Sequence, residues 1–221
     1  MLLHQHLEKF SESTPQQLFS EFSGKKLTYL DANKLANKLA QALLKEGLKK
    51  GDRFSFLAKN CDEMAIMYHA ASKAGIVPVP LNYRLADQEW EYIINDSQSK
   101  LIIVRNDEFI SRIMKIKGKL DSIQKFIMIN AQDKYSDWDE FYTWIEKNDS
   151  ENINLDIHDD DDVYQMYTSG TTGLPKGAII LQRNVEANTR QYFDRLTLPI
   201  PPRTLLVAPM YHAAAMINFC G

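Results

Sequence analysis

Residues 167–177 read YTSGTTGLPKG. This eleven-residue stretch holds three glycines (Gly170, Gly173, Gly177), four Ser or Thr hydroxyls (Thr168, Ser169, Thr171, Thr172) and one lysine, Lys176. These residue types suit an anion. Glycines let the backbone take positive φ and approach a ligand closely, and successive N–H groups curled in this way form an anion-binding nest. Hydroxyls rotate to meet phosphate oxygens or a metal bound to them. Lys176 brings a full positive charge on a flexible stem, suited to a polyphosphate, and Pro175 stiffens the approach to it by fixing φ. The spacing is not that of a Walker A loop, which needs four residues between its glycines and a helix directly after the lysine; Gly170 and Gly173 have two residues between them. On composition alone, a flexible Gly/Ser/Thr surface loop is the alternative.

Two short apolar runs hold this loop, residues 163–167 before it and 178–181 after it. Both are β-branched or aromatic and bounded by breakers, so both predict strands. Upstream, residues 1–13 predict a short amphipathic helix stopped by Pro15, and residues 18–22 and 25–29 a hairpin across Ser23-Gly24. Thr28 with Asp31 three residues on signals a helix start. Leu35, Ala36, Leu39, Ala40 and Leu43 then share one helical face, and Gly47 suits the stop. A βα rhythm follows. Residues 53–58 predict a strand, and Asn60 with Glu63 opens a helix to near Gly75. Residues 76–81 predict a strand whose Pro78 and Pro80 fit poorly in a central position. Residues 87–97 predict a helix, 101–104 a strand, 109–117 a helix and 125–129 a strand. Trp138, Phe141, Trp144 and Ile145 have helical spacing within 136–147 and predict core packing. Residues 148–162 form a polar connector, 183–196 a helix and 204–208 a strand. The fold class expected is α/β, a parallel sheet with helices on both faces.

Composition narrows the rest. The chain has 221 residues and a net charge of −3, which gives no electrostatic case for nucleic acid. It has no apolar run of transmembrane length and no secretory leader in MLLHQHLEKF. Cys61 and Cys220 lie far apart and suggest no disulfide framework or metal cluster, so a reducing cytoplasm is the expected setting. The acidic run Asp159-Asp160-Asp161-Asp162 reads as a solvated loop, with no metal site assigned to it.

The stretch YTSGTTGLPKG resembles, along its whole length, the phosphate-binding signature of the adenylate-forming superfamily, which includes acyl-CoA synthetases and peptide-synthetase adenylation domains. The resemblance implies that Thr168, Ser169, Gly170, Thr171, Thr172, Gly173 and Lys176 grip the β- and γ-phosphates of ATP while a carboxylate attacks the α-phosphate. LTYLDANKLANKLA, GLKKGDRF, NCDEMAIMYHAASKAG and VPLNYRL are similar to landmarks of the N-terminal halves of acyl-CoA synthetases. Asn82-Tyr83-Arg84 stands where peptide-synthetase domains carry other residues, which favours an acyl-CoA ligase over an amino-acid-activating domain. By itself that tripeptide reads as a turn with a local hydrogen bond. Leu181-Gln182 departs from the Thr-His pair many members show. Met210-Tyr211-His212 alone reads as a helix-start turn with Tyr211 in the core; the resemblance implies instead that Tyr211 and His212 border the acyl substrate.

The expected organisation is an N-terminal portion of the AMP-binding domain. Residues 1–158 form a first α/β subregion, and 159–221 the phosphate-loop region with the start of a second, incomplete subregion. The resemblance implies ATP with Mg²⁺, a carboxylic acid, and CoA as co-substrate of a longer protein. Further segments of that protein would supply adenine, ribose and metal contacts and a mobile domain carrying the adenylation lysine. The chain alone is expected to lack a complete catalytic set, to be inactive, and to self-associate through apolar surface. A non-catalytic nucleotide- or partner-binding protein of the same fold is the competing expectation.

Overall fold

Parallel strands covered on both faces need near-continuous apolar runs, and RFSFL, LIIVR and KFIMI supply them. In the computed structural model, which describes residues 1–133, 135–168, 173–195 and 203–215, these runs are the middle of a five-stranded sheet. In chain order the elements are α1 (Leu3–Ser13), β1 (Leu18–Phe22), β2 (Lys25–Thr28), α2 (Tyr29–Lys45), β3 (Arg53–Leu57), α3 (Asp62–Ala74), β4 (Val77–Pro80), α4 (Asp87–Asp96) and β5 (Leu101–Arg105). There follow α5 (Asp107–Ile116), β6 (Lys125–Ile129), β7 (Asp139–Glu140), α6 (Phe141–Glu146), β8 (Asp162–Thr168), β9 (Lys176–Leu181) and α7 (Gln182–Phe193). The order β4-β3-β5-β6-β7 is parallel throughout, as the βα rhythm predicts. The proline-bearing VPVP run is the edge strand β4, where missing N–H donors are tolerated.

Side chains alternate across each strand, and the sheet therefore separates two cores. Phe54, Phe56, Leu101, Ile103 and Ile127 face α2, α3 and α6, while Leu57, Ile102 and Val104 face Trp90 of α4 and Phe109 and Ile113 of α5. The helix signals act as read at Thr28. Its hydroxyl accepts from Asp31 N–H at 3.1 Å, and the Asp31 carboxylate accepts from Thr28 N–H at 3.1 Å. Gly75 closes α3 at φ 66°, a left-handed conformation that selects glycine.

Four expectations change. The N-cap position of α3 is held by Cys61, without a side-chain cap bond, and the side chain of Asn60 is engaged with Ala208 and Met210 instead. The stretch 136–147 divides into the two-residue β7 and the six-residue α6. Its aromatic spacing looks helical, but Trp138 packs in the core beside α4 and α5, whereas Phe141, Trp144 and Ile145 pack in the other. Residues 203–207 are not in a strand, and Leu205 and Val207 are 85% and 79% exposed. A β-favouring sequence becomes strand only where a neighbour accepts its ladder bonds. The expected helix 183–196 begins one residue earlier, at Gln182, and 196 lies outside the described residues.

The polar connector has no regular structure over 152–158, yet it is tied down. Asn37 Nδ2 donates to Ser150 O (2.7 Å) and Asn152 Oδ1 (2.9 Å), and Lys73 Nζ donates to Asn152 Oδ1 at 3.2 Å. It leads into the antiparallel pair β8–β9, which lies against β4 and α3. No helix among the described residues is long and apolar enough to cross a membrane.

Candidate phosphate-binding site

The two strands predicted around the glycine-rich stretch form one antiparallel hairpin, β8–β9. Its register pairs Tyr167 with Gly177 and Thr168 with Lys176, the last rung before the chain leaves the ladder. Opposed residues on paired strands point to the same face, so the Thr168 hydroxyl and the Lys176 ammonium emerge side by side. Both are exposed, as is Gly173 in the turn between them. Ser169, Gly170, Thr171 and Thr172 lie outside the described residues.

The opposite face of the same hairpin carries Gln165 and Tyr167. A Cβ on Gly177 would meet Gln165 Nε2 at 2.3 Å and Tyr167 Cζ at 2.9 Å. This glycine is thus required for space, so that two polar side chains can lie across the bare backbone. Tyr167 Oη donates to Asp96 Oδ2 at 2.5 Å and accepts from Gln165 Nε2 at 3.1 Å. Gln165 Oε1 accepts from Arg53 Nε at 3.1 Å. Burial, and after it the bond to Asp96, pushes the Tyr167 phenol well above the usual tyrosine range, so it stays protonated as a donor.

At the far end of β9, Gln182 is buried at 1% exposure. Its Oε1 accepts from Leu3 N–H at 3.1 Å and its Nε2 donates to Ser72 Oγ at 2.9 Å. Ser72 Oγ is also 2.9 Å from His4 Nδ1. The departure from the Thr-His pair therefore fixes the hairpin to α1 and α3. Burial, then the charge of Lys73, lowers His4 to about 4, which keeps it neutral in this junction. His6 pairs with Glu186 of α7 at 2.9 Å.

The second predicted group is assembled by a different route. Asn60 Nδ2 donates to Ala208 O at 2.9 Å, Asn60 Oδ1 accepts from Met210 N–H at 2.8 Å, and Tyr68 Oη donates to Met210 O at 3.0 Å. Met210 is the buried member of the motif. Tyr211 is only half-buried, with its ring edge-on to Tyr83 at a centroid distance of 5.3 Å. Tyr211 thus packs against the core at its edge, while Met210 lies inside it. His212 is exposed and opens the turn, its Nδ1 accepting from Ala214 N–H at 3.3 Å. Asn82 makes the local turn bond expected of it, Oδ1 to Arg84 N–H at 2.9 Å. The turn at Asn82-Tyr83-Arg84 and Tyr211, read from separate motifs, meet in space.

Three aspartates of the acidic run pair with cations. Asp160 pairs with Arg183, Asp161 with Lys50 at 2.6 Å and Asp162 with Arg53 at 3.8 Å. Among the described residues no three His, Cys, Asp or Glu side chains cluster to hold a metal ion. Cys61 is buried and its thiol is pushed far up by burial, which makes it unreactive. Sequence reasoning missed Asp96, Gln165 and Asn60. The alternation of Gln165 and Tyr167 on one strand, opposite a glycine, was a usable signal; Asp96 gave none, because it comes from another element.

This layered α/β architecture is that of the N-terminal domains of acyl-CoA ligases. The inhibitor-bound N-terminal domain of FACL13 from Mycobacterium tuberculosis superposes with a TM-score of 0.87 over 99% of this chain and 54% of that one, at 27% identity. The chain belongs to the family of AMP-binding enzymes, whose model matches residues 7–221. It is 31% identical over 194 residues to the long-chain-fatty-acid–CoA ligase FadD13 of Mycobacterium tuberculosis, covering 86% of this chain and 37% of that protein. It is 27% identical to the medium-chain fatty-acid–CoA ligase of Escherichia coli, covering 88% of this chain and 35% of that protein. The chain thus spans little more than a third of the length of these relatives.

Proposed function

We propose that this chain is the N-terminal portion of an ATP-dependent carboxylate–CoA ligase, with residues 1–158 as a supporting α/β subregion and 159–221 as the phosphate-loop region. The whole protein joins a carboxylate to ATP, giving acyl-adenylate and pyrophosphate, and then transfers the acyl group to the thiol of CoA, releasing AMP. The observation that carries this reading is the opposition of Thr168 and Lys176 at the mouth of a glycine-rich hairpin loop. The ammonium of Lys176 offsets the charge of the β- and γ-phosphates and of the departing pyrophosphate, and Thr168 donates from the same rung. Ser169, Gly170, Thr171, Thr172 and Gly173 supply the remaining donors of the loop. Tyr211 and His212 border the acyl group. Mg²⁺ arrives with ATP and neutralises phosphate charge. On this reading the chain is one part of the catalytic machinery of the whole protein, and its expected setting is the cytoplasm. The relatives include feruloyl-CoA synthase as well as fatty-acid ligases, so the substrate class assigned is a carboxylic acid without a fixed chain length.

The test is Lys176→Ala in the intact gene product. A charge-assisted bond contributes about 1.5–3 kcal/mol, so pyrophosphate and ATP should bind roughly 10- to 100-fold more weakly. AMP, which lacks the outer phosphates, should change less than about twofold. Calorimetry giving equal losses for all three ligands would overturn the assignment. Pyrophosphate release screened across acids of different length and aromaticity then identifies the acyl class.

A further inference from the structure

The hairpin that presents Thr168 and Lys176 is a two-stranded sheet of its own. Such a pair is marginal without outside support, and β9 is exposed over its first four residues. Support comes from β8, by a continuous run of side-chain bonds. It starts at Asp96, the last residue of α4, passes through the phenol of Tyr167 and the amide of Gln165, and ends on Arg53, the first residue of β3. Arg53 is itself fixed by donating from Nη1 to Gly51 O at 2.9 Å. The run draws on two elements at one end of the parallel sheet, since Asp96 leads into β5 and Arg53 begins β3, its parallel neighbour, where Lys100 N–H donates to Arg53 O at 2.8 Å. Tyr167 and Gly177 form the rung immediately before Thr168 and Lys176, so the tilt of Tyr167 is passed directly to the two anion-facing residues. The absent side chain at Gly177 makes the arrangement possible, because any Cβ there would displace Gln165 Nε2.

We propose that Asp96, Tyr167 and Gln165 form a clasp that sets the angle at which the loop leaves its hairpin, which makes Tyr167 and Asp96 positioning residues for the polyphosphate. This rests on the polyphosphate reading above. The aromatic ring of Tyr167 packs against the core beside α4 and α5, and Tyr167→Phe keeps that packing while removing only the hydroxyl.

The experiment uses the intact gene product with Tyr167→Phe, Asp96→Asn and the double variant, titrated with inorganic pyrophosphate and with AMP, alongside ATP kinetics. Each single change should weaken pyrophosphate binding about 3- to 10-fold and raise KM for ATP by a similar factor. AMP affinity and kcat should stay within about twofold, and the double variant should be no worse than the poorer single, because the two residues share one bond. A Gly177→Ala variant should show the same loss, because its Cβ would displace both Gln165 and Tyr167. If Tyr167→Phe binds pyrophosphate normally while Lys176→Ala does not, the clasp is overturned and the polyphosphate reading stands. If neither variant changes pyrophosphate binding, the reading itself falls. Equal losses for pyrophosphate and AMP in Tyr167→Phe would also overturn the clasp, since general loosening of the fold does not discriminate between ligands.

Discussion

Strands β5 and β9 are written in similar residues, LIIVR and KGAIIL, and end in opposite surroundings. In β5 every residue through Val104 is buried. In β9 the first four are exposed, and Ile179 keeps 43% of its surface. The difference lies in neighbours. Strand β5 has β3 and β6 on its two sides and helical layers above and below, whereas among the described residues β9 pairs with β8 alone. Apolar, β-branched composition sets the preference for strand, and burial depends on what lies alongside. For function the contrast is useful: the parallel sheet is a rigid base, and the hairpin standing on it keeps Thr168 and Lys176 reachable.

The largest effect expected is in the base. Phe54 is fully buried in β3, and Phe54→Ala should destabilise the fold by about 3–5 kcal/mol. Urea unfolding checks this, and a loss below about 1 kcal/mol would erase the contrast between the two regions.

An intermediate effect is expected at the junction of hairpin and base, where His4 meets Ser72 and Gln182. His4 is held at about 4 and His69 at about 3 in the folded chain, in both cases first by burial and then by the charge of Lys73, against an ordinary 6.5. Below pH 6.5 the unfolded chain takes up protons that the folded chain refuses. Stability is therefore full above about pH 6.5 and falls as pH drops towards 4, by at most about 3 kcal/mol for His4. Melting temperatures between pH 7.5 and 4 should show this decline, and His4→Gln should flatten part of it. An identical pH profile in that variant would sink the assignment.

The smallest effect is expected where the apolar run has no cover. Replacing Leu205 and Val207 together by serine should change stability by no more than about 0.5 kcal/mol. It should also reduce concentration-dependent association in sedimentation, since both side chains face solvent. Unchanged sedimentation would remove these two residues from any self-association surface.

Much of the fold was legible because its signals are local. Thr28 with Asp31 marked a helix start, Gly75 marked a helix end, and Pro78 with Pro80 demoted one strand to the sheet edge. The strands flanking the glycine-rich stretch were found within a residue or two. The errors came where one side chain had two possible employers. Asn60 looked like a cap and instead holds the backbone at Ala208 and Met210. Trp138 fitted a helical stripe and packs on the other side of the sheet. The run 204–208 had strand composition and pairs with no strand among the described residues.

By itself the amino-acid order determined which residues could hold an anion, the alternation of strands and helices, and the family to which the chain belongs. Only the tertiary structure decided that Thr168 faces Lys176, that Tyr83 meets Tyr211, and that Asp96 reaches across to Tyr167. Local propensities act over a few residues, whereas these pairings are set by hairpin register and by packing between elements remote in the chain.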